Sequence, residues 1–80
     1  MVMSKWMIAE DFHFGGRVIT LSENWESEEL IQTLIDAGFL VDDYSIDEML
    51  EMITITESAN IIELFDDANN MELCSLKRIA

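Results

Sequence analysis

Positive charge is what this chain has least of. Its 80 residues include four lysines and arginines against 17 aspartates and glutamates, a formal net charge of −13. Between Arg17 and Lys77 there is no basic residue, while every acid except Glu10 and Asp11 falls in that interval. A surface so poor in cations cannot neutralise phosphates, which makes DNA, RNA and anionic membranes poor direct ligands and favours basic partners. Cysteine occurs once, as Cys74, so no intramolecular disulfide can form; this fits a reducing compartment, with the thiol as a small buried apolar side chain. Histidine also occurs once, as His13 in "FHF", far in sequence from Cys74. A nucleophile and base would meet only by accident of folding. No glycine-rich loop is present to cradle a phosphate. The N-terminal stretch "MVMSKWMIAEDF" is interrupted by Lys5, Glu10 and Asp11, and no apolar run approaches the ~20 residues needed to span a bilayer. The expectation is a soluble, cytoplasmic protein that is not an enzyme and needs no cofactor and no metal.

Apolar residues make up half of the chain, too many for a disordered acidic tail. Eighty residues without a linker or repeat are expected to form one compact acidic domain, 1–80, with a single small core. Along the chain, "KWMIAEDFHFGGRVITLSE" predicts a hairpin: a strand running to Phe14, the Gly15-Gly16 pair as turn, and a return from Arg17 to Leu21. Period two would place Trp6 and Ile8, with Phe12 and Phe14, on one face. In "SENWESEELIQTLIDAGF" the residues Leu30, Ile31, Leu34 and Ile35 form a helical stripe, with Ser27 as candidate N-cap and Gly38 just past the end. Glu26, Glu28 and Glu29 suit the positive end of that helix dipole, whereas Asp36 opposes the other end.

A second, shorter helix begins at Ser45. Glu48 lies at the capping-box spacing, and Ile46, Met49, Leu50 and Ile53 follow at i, i+3, i+4 and i+7. It should end near Met52, where "ITIT" switches to β-branched alternation. "ANIIELFDDANN" fits either helix or strand; its length, its neighbours and the Asp/Asn turn favour a strand that turns into "MELCSLKRI". The expected fold class is α+β: a small antiparallel sheet of four or five strands, a hairpin first and a meander last, packed against one main helix and a second short one.

Chemistry-bearing patterns are few. An EF-hand loop counted from Asp43 reaches Thr54 where its final glutamate belongs, and "DDANN" could hold a hard cation only weakly. The order of the two helices and the following β-rich segment matches a helix-turn-helix with a wing, yet the second helix carries Asp47, Glu48 and Glu51 where a DNA reader needs lysine or arginine. The feature that stands out is the acidity itself. Carboxylates three or four apart on a helix lie about 5 to 6 Å from one another, comparable in scale to successive phosphates. Ordinary soluble surfaces mix both signs, and this one does not.

Glu28, Glu29, Asp36, Asp42, Asp43, Asp47, Glu48 and Glu51 are therefore the candidate partner-binding acids, with Trp25 and Tyr44 as aromatic anchors embedded among them. In size and charge alone the chain is similar to the small acidic inhibitors that bacteriophages and mobile elements use against restriction enzymes, CRISPR effectors, DNA-repair glycosylases or transcription machinery. That resemblance is compositional and transfers no residues. It implies an inhibitor or DNA mimic occupying the basic nucleic-acid-binding surface of a larger protein. Alternatives are a regulatory adaptor or antitoxin-like protein held by apolar contacts, or a halophile's acidic coat. Pairing of two copies through a sheet edge also stays open.

Overall fold

A computed structural model describes residues 2–9, 16–40 and 43–80. Seven elements follow in order: β1 (Met3–Ile8), β2 (Val18–Ser22), α1 (Ser27–Asp36), α2 (Ile46–Met52), β3 (Ile53–Ser58), β4 (Ile61–Asp66) and β5 (Met71–Arg78). The strands form one antiparallel sheet in the order β2-β1-β5-β4-β3. This is the expected α+β arrangement, hairpin first and meander last. The two halves join where β1 pairs with β5, Trp6 opposite Arg78 and Ile8 opposite Leu76. Phe12 and Phe14 of the expected first strand, His13 between them, and Gly15 of the expected turn lie outside the described residues.

Residues 61–66 are strand, as their β-rich surroundings suggested, and Asp67–Asn70 form the turn to β5. The winged arrangement is not what forms. β3, β4 and β5 are sheet strands, with β5 central in the sheet, and α2 is only seven residues long.

The cap of helix α1 lies one residue before the candidate, Ser27. Glu26 is the N-cap, with extended backbone and no capping bond from its side chain, and its carbonyl accepts the first helical bond from Leu30 N–H (3.1 Å). Ser27 is thus the first helical residue. The other end is built as expected: Gly38 adopts φ +84°, Gly38 N–H donates to Ile35 O (3.0 Å), and Phe39 N–H donates to Leu34 O (2.9 Å). This pairing satisfies two otherwise orphaned carbonyls and requires the left-handed residue. In α2 the Ser45 hydroxyl accepts from Glu48 N–H (3.3 Å) and donates to Glu48 Oε1 (3.0 Å), and the chain passes straight from Met52 into β3.

Leu30, Ile31 and Leu34 of α1 and Met49 of α2 are buried against one face of the sheet, where they meet Trp6, Ile8, Ile19, Leu21, Ile62, Leu64 and Leu76. Ser4 is the single buried polar residue among those described, and it is satisfied: Trp6 Nε1–H donates to Ser4 Oγ (2.8 Å), which donates to Leu21 O (3.2 Å). Both helices lie on one side of the sheet, so the other face is left open to solvent.

Candidate functional site

The question raised by the sequence is what answers the negative charge, and the cations can be traced one by one. Arg17 caps α1: its Nη1 donates to Ala37 O, and its guanidinium stands 5.2 Å from the centroid of the Phe39 ring. A cation there also suits the negative end of the helix dipole. Arg78 pairs with Glu23 at 2.7 Å, the one salt bridge among the described residues. Lys5 and Lys77 project from the open face of the sheet, since their strand neighbours Trp6 and Leu76 point into the core. None of the four reaches a carboxylate of either helix in a salt bridge.

Neither helix carries a lysine or arginine of its own, and Arg17 at the end of α1 is the cation placed beside them among the described residues. On α1, Glu28 and Asp36 are exposed, two turns apart on one stripe, with Gln32 between them donating from Nε2 to Asp36 Oδ1 (2.9 Å). On α2, Asp47 and Glu51 are exposed at i, i+4 spacing, and Glu48 is exposed beside them. Asp43 precedes α2 and is exposed as well; Asp42 lies outside the described residues. The open sheet face differs, carrying Glu63 and Glu72 together with the two lysines. Acids also lie away from the helices, at Glu23, Glu57, Asp66 and Asp67, on a body whose extents are 31 × 29 × 23 Å.

Glu29 departs from the other candidates. Ser22 donates to it twice, from its amide to Oε2 (2.8 Å) and from its hydroxyl to Oε1 (2.6 Å), so the carboxylate ties α1 to β2. The side-chain bond, then the backbone bond, hold its pKa below the ordinary 4.5. Hydrogen bonds to a charged form favour that form. Sequence spacing placed Glu29 with the surface acids, and nothing in the sequence signalled Ser22 as its partner.

The aromatics also divide. Trp25 is half-buried and packs against the core, its amide bonded to Ser22 O (3.2 Å). Phe39 packs there too, beneath Arg17. Tyr44 remains 54% exposed. It stands over an open cleft of about 270 Å³ lined by Leu40, Tyr44, Met49, Met52, Ile53, Asp66, Ala68, Asn69 and Leu73. This cleft escaped the sequence because its walls come from α2, the β3 start and the β4–β5 turn, and because Leu73 is placed by a β-bulge after Leu64.

Compared with protein-family models, curated proteins and solved structures, the chain matches none.

The "DDANN" turn uses its acids internally. Asp66 accepts from Asn69 Nδ2 (2.7 Å), Ala68 N–H (3.0 Å) and Asn69 N–H (3.2 Å), and Asp67 accepts from Thr54 Oγ1 (2.7 Å). The Asn69 side chain, ahead of the two amides, lowers the Asp66 pKa from 3.8. Among the described residues no three His, Cys, Asp or Glu side chains gather as a metal-binding group. Burial, with a smaller push from Glu72, raises the Cys74 thiol to about 11. It is thus a neutral thiol at physiological pH, packed against the core as a small apolar residue. Among the described residues no helix is long and apolar enough to cross a membrane.

Proposed function

We propose that this is a non-enzymatic binding protein that occupies a basic, nucleic-acid-binding surface of a larger protein, an inhibitor acting as a DNA mimic. The observation that carries this reading is the set of exposed acids on and beside the two helices, Glu28, Asp36, Asp43, Asp47, Glu48 and Glu51, with no lysine or arginine on either helix. Such a set accelerates encounter with a positive channel, and its carboxylates, none in a salt bridge among the described residues, gain cationic partners on docking. The helices fix the backbone spacing of the acids, so only their side chains have to be ordered on binding. A role against a defence system or against host transcription is the biological setting the charge pattern fits.

A second reading, a regulatory adaptor or antitoxin-like partner protein held mainly by apolar contacts, has the cleft beside Tyr44 in its favour. One experiment separates the two. Immobilised protein is exposed to host lysate and washed at rising ionic strength, alongside a variant carrying Asp43→Lys, Asp47→Lys and Glu51→Lys. The DNA-mimic reading requires capture that fades with salt, is lost in the variant, and is displaced by duplex DNA. Capture indifferent to all three supports the adaptor instead.

A further inference from the structure

We infer that the cleft beside Tyr44 is a docking pocket for one apolar side chain of a partner segment that carries lysine or arginine on either side of it. The inference rests on the acidic-face reading and adds to it the point where a partner is anchored. Its floor and walls are apolar, formed by Leu40, Met49, Met52, Ile53 and Leu73, with the exposed Tyr44 ring at the mouth. A volume of about 270 Å³ exceeds the ~150 Å³ that holds a benzene in a protein interior, so a leucine- or phenylalanine-sized group fits. Two methionines among the walls let the cleft adapt its shape.

The surroundings select the occupant by charge. Asp66 lines the cleft, and its three accepted hydrogen bonds keep it ionised. Asp43 is next to Tyr44 in the chain, and Glu48 lies one helical turn before Met52 on the same flank of α2. No lysine or arginine lines the cleft. An acidic or neutral partner segment would place its apolar group well but bring no cation to carboxylates that have no salt-bridge partner among the described residues. A basic segment answers both, and an apolar anchor within a polar rim is the usual anatomy of an interface.

The test uses the full chain and two synthetic peptides of about fifteen residues: lysines with leucines spaced i, i+4, and the same peptide with alanine replacing leucine. The leucine peptide is expected to bind about tenfold tighter, from burial of one leucine side chain, and to shift the methyl NMR signals of Met49 and Met52. In Leu73→Ser and in Met52→Ser, each checked for an unchanged circular dichroism spectrum, that preference should fall below about twofold, while alanine-peptide binding is unaltered. Equal affinity of the two peptides for the unmodified protein overturns the pocket, as does a preference that survives both substitutions. Self-association abolished by Leu73→Ser would also overturn it, because the cleft would then belong to a second copy. The acidic face is judged separately by the alanine peptide: if it binds in a salt-sensitive manner and is lost with Asp47→Lys and Glu51→Lys, the face stands whatever happens to the pocket. Failure of both peptides removes both.

Discussion

Glu29 and Ser22 are joined by two hydrogen bonds, from the serine amide (2.8 Å) and hydroxyl (2.6 Å), that fasten the first turn of α1 to the end of β2. The bond sets one carboxylate apart from its neighbours, and it makes a prediction about pH. A carboxylate whose folded pKa lies below its unfolded value contributes stability above the ordinary value of 4.5, and that contribution is lost as pH falls through the lowered one. Glu29→Gln should therefore unfold at lower urea than the unmodified protein at neutral pH. The gap should narrow once the pH drops well below 4.5. Urea midpoints measured across that range check it, and a gap constant with pH would show that the charge of Glu29 is not what Ser22 holds.

The helix ends make a second prediction. Gly38 sits at φ +84°, and among the described residues a Cβ built there would meet only Arg17 Nη1, at an ordinary 3.7 Å. Gly38→Ala should then cost about 1–2 kcal/mol from backbone conformation alone, with no steric surcharge. Ser45→Ala removes the α2 cap and should cost about 1 kcal/mol. Chemical denaturation of both variants measures these losses.

Cys74 gives a third. A thiol raised to about 11 is almost wholly protonated near neutrality, so alkylation by iodoacetamide should be far slower than for a free cysteine and should accelerate only as pH approaches that value. Rapid modification of the folded protein at neutral pH would contradict the packing described for it.

Self-repulsion supplies the fourth. With a net charge of −13 and one salt bridge among the described residues, the folded state is strained by its own charge. Raising sodium chloride from about 10 mM to about 300 mM should increase the melting temperature by several degrees, because the Debye length shrinks from about 30 Å to less than 10 Å. A flat or falling response would mean that the acids are balanced in some way the geometry does not reveal.

What was legible in the sequence was local. Ser45 and Glu48 announced their cap, Ile53–Thr56 announced a strand by alternation, and Gly38 announced the end of α1, because each depends on residues within a turn or two. The start of α1 was misplaced by one residue: Ser27 has the right chemistry for a cap, but the first helical bond goes to the carbonyl of Glu26. Less accessible was everything set by distant pairing. That Arg17 would be taken up by Ala37 and Phe39, that Ser22 would claim Glu29, and that a bulge would bring Leu73 to the cleft beneath Tyr44 all depend on sheet order. The acidic surface could be foreseen because exposed charge needs no partner to be counted. That both helices pack on one side of the sheet came only with the fold.

The most direct test of the account is the affinity of the captured partner for this protein, measured by calorimetry at about 50 mM and about 300 mM salt with the unmodified chain and with the Asp43→Lys, Asp47→Lys, Glu51→Lys variant. The account predicts a loss of about tenfold or more with salt in the unmodified chain, and little binding by the variant under either condition. Affinity that is equal at both salt concentrations and survives the charge reversal would contradict it.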